Sequence, residues 1–111
     1  MPEPPRSRLP RGCSQAGDTR AIVRCVIGRE GQSGNRAIWE CIIARESGWN
    51  PWATGAAGER GLTQIHPIHI AWIGWDRWAQ MYSPLVNIET AIALYRRAGG
   101  FGPWTTRGWC V

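Results

Sequence analysis

The chain has 111 residues, 43% of them hydrophobic, and its thirteen arginines, with no lysine, outweigh eight acids to leave a net charge of +5. A chain of this length holds one domain with one core, and its apolar runs, all cut short by Arg, Glu, Gly or Trp, exclude a membrane span. The charge draws the chain towards polyanions such as nucleic acid, anionic lipid or wall polymers like teichoic acids, without choosing among them. Arginine in place of lysine is what a GC-rich genome produces; selection for bidentate phosphate or carboxylate contacts is the alternative.

Residues 1–17 are rich in Pro, Arg, Ser and Gly, with too little apolar content to fold unaided, and read as a flexible arm. The stretch up to Gly12 also lacks the apolar core of a secretory signal peptide. The domain is expected over 18–111. Asp18 or Thr19 can cap a first helix, in which Ala21, Ile22, Cys25 and Val26 recur at helical spacing until Gly28. Gly31 to Gly34 form a turn, and Asn35 is the expected N-cap of a second helix. Ile38, Cys41, Ile42 and Arg45 share one stripe of that helix, with Trp39, Ile43 and Glu46 on the neighbouring one, until Ser47, Gly48, Asn50 and Pro51 stop it. Residues 53–61 are a small-residue loop, and Leu62 to Ile70 is apolar but cut by Pro67, which predicts a short helical turn. Trp72, Trp75 and Trp78 follow at three-residue intervals, as packing residues, and Ile88, Ala91, Ile92 and Tyr95 mark a last strong helix that ends at Gly99. Strand patterns are absent apart from room for a short hairpin in the 50s loop. The expected fold is a small, mainly α domain with long loops.

Cys13, Cys25, Cys41 and Cys110 are even in number and contain no C-x-x-C pair, which favours disulfides and an extracytoplasmic site of action over a zinc site or redox motif. Buried free thiols are the alternative. His66 and His69 have no Cys or third carboxylate at ligand spacing, so a cleft or structural role is expected in place of a metal. There is no Gly-rich phosphate loop either, and neither metal nor cofactor is expected.

Cleaving a glycosidic bond needs a carboxylic acid kept protonated by apolar surroundings. Glu46 is the best candidate, because it sits near a helix end with Trp49 and Trp52 close behind it, where indoles can both desolvate an acid and stack on sugars. Local sequence alone leaves this open against a solvated helix-end glutamate.

The wider pattern bears on that choice. Glu46-Ser47-Gly48, then Asn50-Pro51 and a small-residue loop, then Gly61-Leu62-Thr63-Gln64-Ile65 and Pro67 resembles the transglycosylase SLT domain family. Pro84, Asn87, Ile88, Ala91 and Tyr95 resemble its Asn-Ile helix, and Gly99-Gly100-Phe101-Gly102-Pro103-Trp104 is similar to the ending of some phage and actinobacterial members. The resemblance implies a lysozyme-like fold of the goose-type or SLT kind. It also implies Glu46 as catalytic acid/base, Ser47 as the residue that orients it, and Gln64 as a lining of the sugar cleft. Trp49, Trp52 and Trp104 lie by the matched motifs and are candidates to face sugar. Many members carry an Ala-Tyr-Asn-Ala-Gly segment that is missing here; Tyr95, Phe101 or Trp104 are left to fill that space, and of these only Tyr95 has a hydroxyl.

The implied substrate is the glycan strand of bacterial peptidoglycan, cut at the MurNAc–GlcNAc bond, with a 1,6-anhydro product if Glu46 works alone. A hydrolytic muramidase would need a second carboxylate about 5–5.5 Å away for retention or about 6.5–9.5 Å for inversion. Glu59, Asp76 and Glu89 remain for that role, Glu59 foremost, because Glu40 lies far round the helix from Glu46. A catalytically idle wall-binding module and a basic nucleic-acid binder are the competing classes. A monomer is expected, acting outside the cytoplasm after delivery by a phage, a virion or lysis. Of the three cysteine pairings, Cys41 with Cys110 is preferred because each lies in a matched segment at opposite ends of the domain, leaving Cys13 with Cys25. Closing the longer loop is worth roughly 4 kcal/mol on chain entropy.

Overall fold

The computed structural model describes residues 13, 14 and 17–111. Most of the segment read as an arm lies outside the described residues; Cys13 itself is bonded to Cys25 and packs against the core.

Among the described residues six α-helices carry the fold: α1 (Thr19–Arg29), α2 (Arg36–Ser47), α3 (Ile70–Ile73), α4 (Trp75–Trp78), α5 (Pro84–Ala98) and α6 (Arg107–Cys110). Asp18 caps α1, its carboxylate accepting from the amides of Arg20 and Ala21. Ser33–Asn35 form a 3-10 turn before α2, and Asn35 does not cap with its side chain as the sequence suggested. Its Nδ2 donates instead to Gln32 Oε1 and Tyr95 Oη, tying the start of α2 to α5. Ser83 caps α5 through Val86 N, with Pro84 at the first helical position, and left-handed Gly99 ends it.

α1 packs on α5, and the core takes Val23, Val26 and Ile27 from α1, Trp39, Ile42 and Ile43 from α2, and Leu85, Ile88 and Ile92 from α5. Each fully buried aliphatic side chain contributes about 1.5–3 kcal/mol. The buried side of α2 is therefore the Trp39, Ile42, Ile43 face, and Arg45 stays exposed. Trp39 sits at the centre of an aromatic cluster, edge-on to Tyr95, Phe101 and Trp104 with centroids 5.7, 4.9 and 5.3 Å away. Gly74, at φ 90°, separates α3 from α4. The tryptophan series splits accordingly: Trp78 is buried, Trp72 is half-buried, and Trp75 points to solvent instead of packing.

Between α2 and α3 the chain makes isolated antiparallel bridges, Thr54 with Arg60 and Arg60 with Ile65, and then the expected short turn as a 3-10 helix at Pro67–His69. The rigidity of the bridges comes from Asn87 on α5, which is fully buried. Its Oδ1 accepts from Thr63 N and Thr63 Oγ1, at 3.0 and 2.6 Å, and its Nδ2 donates to the carbonyls of Arg60 and Met81, each at 3.0 Å. All four of its hydrogen-bonding positions are used. A Cβ on Gly61 would run into Asn87 Nδ2 and the Met81 carbonyl, so only glycine lets this loop lie against α5. Two disulfides complete the frame, Cys13–Cys25 and Cys41–Cys110, the pairs preferred from the sequence. Among the described residues no helix is long and apolar enough to cross a membrane.

Candidate active site

Glu46 lies on the last turn of α2, on the side that Trp39 and Ile43 carry into the core, and is itself half-buried. Loss of solvent around it pushes its carboxyl above the ordinary carboxylate range. Two neighbours modify that shift. The Thr106 hydroxyl donates to Glu46 Oε2 at 2.9 Å and stabilises the charged form, while the nearby Glu59 charge raises the carboxyl further. The chain then turns away through two left-handed residues, Gly48 (φ 59°) and Trp49 (φ 67°), which end the helix directly below the carboxyl. For a non-glycine residue this conformation costs on the order of 1–2 kcal/mol.

Gln64 shows the same feature, with φ 54°. Its Nε2 donates to the carbonyls of Ala53 and Gly61, at 3.0 and 2.9 Å, so the carboxamide is fixed by its own loop. Glu59 belongs to the same cluster. It is half-buried, its Oε1 accepts from Ala57 N at 3.0 Å, and a Cβ on Gly55 would strike both this oxygen and Gln64 Oε1. Gly55 is thus the gap through which the carboxylate and the carboxamide approach each other. Arg60 does not pair with Glu59; it donates to the Trp78 carbonyl at 3.0 Å and lies over the Trp78 and Tyr82 rings.

The structure gathers Glu46, Glu59 and Gln64 and disperses the other candidates. Ser47 donates to the Ile43 carbonyl at 3.0 Å, a bond back into its own helix. Tyr95 accepts from Asn35, at the opposite end of α2, eleven residues or roughly 16 Å of helix from Glu46. Trp104 is buried and donates to the Thr63 carbonyl at 2.9 Å, bracing the loop that carries Gln64. Trp49 is half-buried, with the Arg20 guanidinium 4.1 Å from its ring centroid. Trp52 is the candidate that remains open to solvent. Among the other acids, Glu40 pairs with Arg36, and Glu89 faces Arg77 and Glu30, with burial raising its carboxyl.

The histidines of the His-Pro-Ile-His run have local tasks. His66 Nδ1 accepts from Ile68 N and His69 Nδ1 accepts from Trp72 Nε1, both at 3.0 Å. Burial lowers the His69 pKa, with the charges of His66 and Arg97 acting the same way. Among the described residues no group of three or more His, Cys, Asp or Glu is arranged to hold a metal.

Thr106 escaped the sequence reading, since nothing in Thr105-Thr106-Arg107 marks it. A signal did exist in the preferred Cys41–Cys110 pairing. Joining Cys41, five residues before Glu46, to Cys110 lays the last residues of the chain against α2.

A sequence profile described as the Transglycosylase SLT domain matches residues 30–105. No curated protein and no solved structure matches the chain. The matched stretch runs from the end of α1 to the residue before Thr106 and takes in the Glu46 helix, the Gln64 loop and α5. Covering well over half of the molecule, it shows that the chain belongs to the transglycosylase SLT domain family, whose domains carry out lytic transglycosylase-type degradation of peptidoglycan.

Proposed function

We propose that this chain cleaves the β-1,4 bond between N-acetylmuramic acid and N-acetylglucosamine with Glu46 as its single acid/base, forming 1,6-anhydro ends. The observation that carries the reading is the state of Glu46: a half-buried carboxyl with a raised pKa, held by one hydroxyl, in the position that the family motif reserves for the acid. Being neutral over a wider pH range, it can protonate the glycosidic oxygen as the bond breaks. The departing sugar takes that proton, and positive charge develops at the muramoyl C1 with assistance from its own acetamido group. Glu46, now a carboxylate, removes the proton from the muramoyl C6 hydroxyl as the C6 oxygen bonds to C1. The carboxyl ends as it began.

One observation supports a second reading. Glu59 is close enough to act on the charge of Glu46, as a second carboxylate for hydrolysis would be. In that case Glu59 would serve water or the sugar directly, and the products would have reducing ends.

The test is digestion of purified peptidoglycan by the parent protein, Glu46→Gln and Glu59→Gln, followed by turbidity and mass spectrometry of the soluble products. Activity in the parent and loss of about three orders of magnitude or more in Glu46→Gln are expected, since the variant lacks the proton donor. Equal turbidity traces for these two would leave a glycan-binding module without catalysis. Anhydro ends, with Glu59→Gln still active, fit the single-carboxylate mechanism; reducing ends that vanish in Glu59→Gln fit the hydrolytic one.

A further inference from the structure

Trp52 is 72% exposed, while Trp39, Trp78 and Trp104 are each 5% exposed or less. Trp75 and Trp109 are as exposed, at 73% each, and what sets Trp52 apart from them is a ring partner. Its ring is stacked on Tyr82, with centroids 5.7 Å apart and planes inclined by 29°. The Trp52 backbone and the Tyr82 side chain are set in place: Asn50 Oδ1 accepts from the Trp52 backbone N at 3.0 Å, and the hydroxyls of Tyr82 and Thr54 are 2.6 Å apart. Alongside runs a groove of about 470 Å³, bounded by Trp52, Tyr82, Gln80, Ser83, Pro84 and Leu85.

The chemistry of this groove is selective. In a chain of net charge +5, no ionisable side chain other than the Tyr82 phenol lines it. Phosphate or carboxylate recognition would call for arginine, whereas Gln80, Ser83 and two flat rings suit a neutral, hydroxylated ligand with an apolar face. Along the chain, Trp52 directly precedes the loop that carries Gln64. The residue after Trp52 is Ala53, whose carbonyl accepts from both Gln64 Nε2 and Gly61 N.

We propose that Trp52 and Tyr82 form a saccharide-binding shelf, an outlying subsite that holds a sugar ring of the glycan strand away from the bond cut at Glu46. This rests on the assignment of the chain as a glycan-cleaving domain. Trp52 supplies the stacking surface, and Tyr82 positions it from beneath while Gln80 and Ser83 meet the hydroxyl rim. Long strands therefore bind better than short ones.

The experiment uses the Glu46→Gln chain, so that binding is measured without turnover, with GlcNAc disaccharide and hexasaccharide as probes in isothermal titration calorimetry. Adding Trp52→Ala should weaken hexasaccharide binding roughly five- to tenfold, the scale of one aromatic contact. Disaccharide binding should not change, and Trp52→Phe should restore most of the loss. Equal hexasaccharide affinities for Glu46→Gln with and without Trp52→Ala would overturn the shelf and leave the glycan-cleaving assignment standing. A parent that binds neither probe would overturn the shelf too, and peptidoglycan turbidity would then judge the assignment separately. Because Trp52 is exposed, Trp52→Ala should fold; a circular-dichroism melt matching the parent's checks this.

Discussion

The two loops that bring groups to Glu46 are held in contrasting ways. The loop of residues 53–65 is locked by many bonds: Asn87 makes three to it, Trp104 adds a fourth, and Gln64 is tied to two of its carbonyls. The C-terminal segment that delivers Thr106 ends in a four-residue helix fastened to α2 by one disulfide, with Arg45 over the Trp109 ring. Gln64 is thus positioned by redundant hydrogen bonds, and Thr106 by buried Trp104 on one side and a covalent clamp on the other. Redundant positioning fails as a unit, with loss of the fold. Clamped positioning can fail alone, leaving a folded domain whose acid is out of place.

The largest effect should follow from breaking the redundant side. Asn87→Leu removes the partners of Thr63 N, of the Thr63 hydroxyl and of the Met81 carbonyl, while the Arg60 carbonyl keeps Ile65 N. Three orphaned polar groups at about 1–3 kcal/mol each predict a loss of about 4 kcal/mol or more. Urea unfolding should show this loss, with peptidoglycan cleavage falling in step with the folded fraction.

The disulfides divide the comparison more sharply. Replacing Cys41 and Cys110 together by serine opens a loop of sequence separation 69 and should cost about 4 kcal/mol. The same change at Cys13 and Cys25, separation 12, should cost about 3 kcal/mol. The stabilities differ modestly, whereas the activities should differ clearly. Freeing Cys110 releases Thr106 from Glu46, so specific activity measured where both variants are folded should fall in the first and stay near the parent's in the second. Similar activities would show that the clamp does not serve the acid.

Thr106→Val tests the hydroxyl itself and should lower kcat/KM by about tenfold, the worth of a hydrogen bond to a carboxylate. The direction in pH carries more information. The Thr106 hydroxyl holds the Glu46 pKa down, so its loss raises that pKa. A proton donor works while protonated, and activity falls as pH rises through its pKa. The alkaline limb of the kcat/KM profile should therefore move to higher pH in Thr106→Val and return in Thr106→Ser. A purely structural role for Thr106 would lower the profile without moving that limb.

How much of this was legible in the sequence depended on where each constraint was written. Helices α1, α2 and α5 were readable because each sustains an apolar spacing, with Asp18 capping α1 and Gly48 and Gly99 ending α2 and α5. The helix that carries Glu46 and the loop that carries Gln64 were readable because both follow a family pattern. Contacts outside the motifs were not legible: Ser47, beside the acid in sequence, bonds back to its own helix, and Tyr95 accepts from Asn35 within the aromatic cluster around Trp39. Thr106 and the Trp52–Tyr82 pair were hidden because each depends on a contact across the chain, of 60 residues in one case and between separate loops in the other. Trp75 has a core spacing, yet Gly74 breaks the helix that would have carried it inward.

The smallest effect concerns what the acid costs the fold. A carboxyl whose pKa is raised on folding is neutral in both states at low pH, and there the parent and Glu46→Gln should differ little in stability. As pH rises past the unfolded value, about 4.3, the unfolded chain ionises first, and stability is lost until the folded carboxyl has also ionised. Glu46→Gln removes that titration. Its melting temperature should exceed the parent's slightly at neutral pH, with the gain shrinking to nothing in acid. The gain is limited by the half-exposed position of Glu46 and by the Thr106 bond that already favours its charge. In Thr106→Val that offset is gone, so the added gain from Glu46→Gln should be larger there. If the two gains prove equal, the Thr106 hydroxyl does not act on the charged acid, and the clamp on the C-terminal segment has no electrostatic role at Glu46.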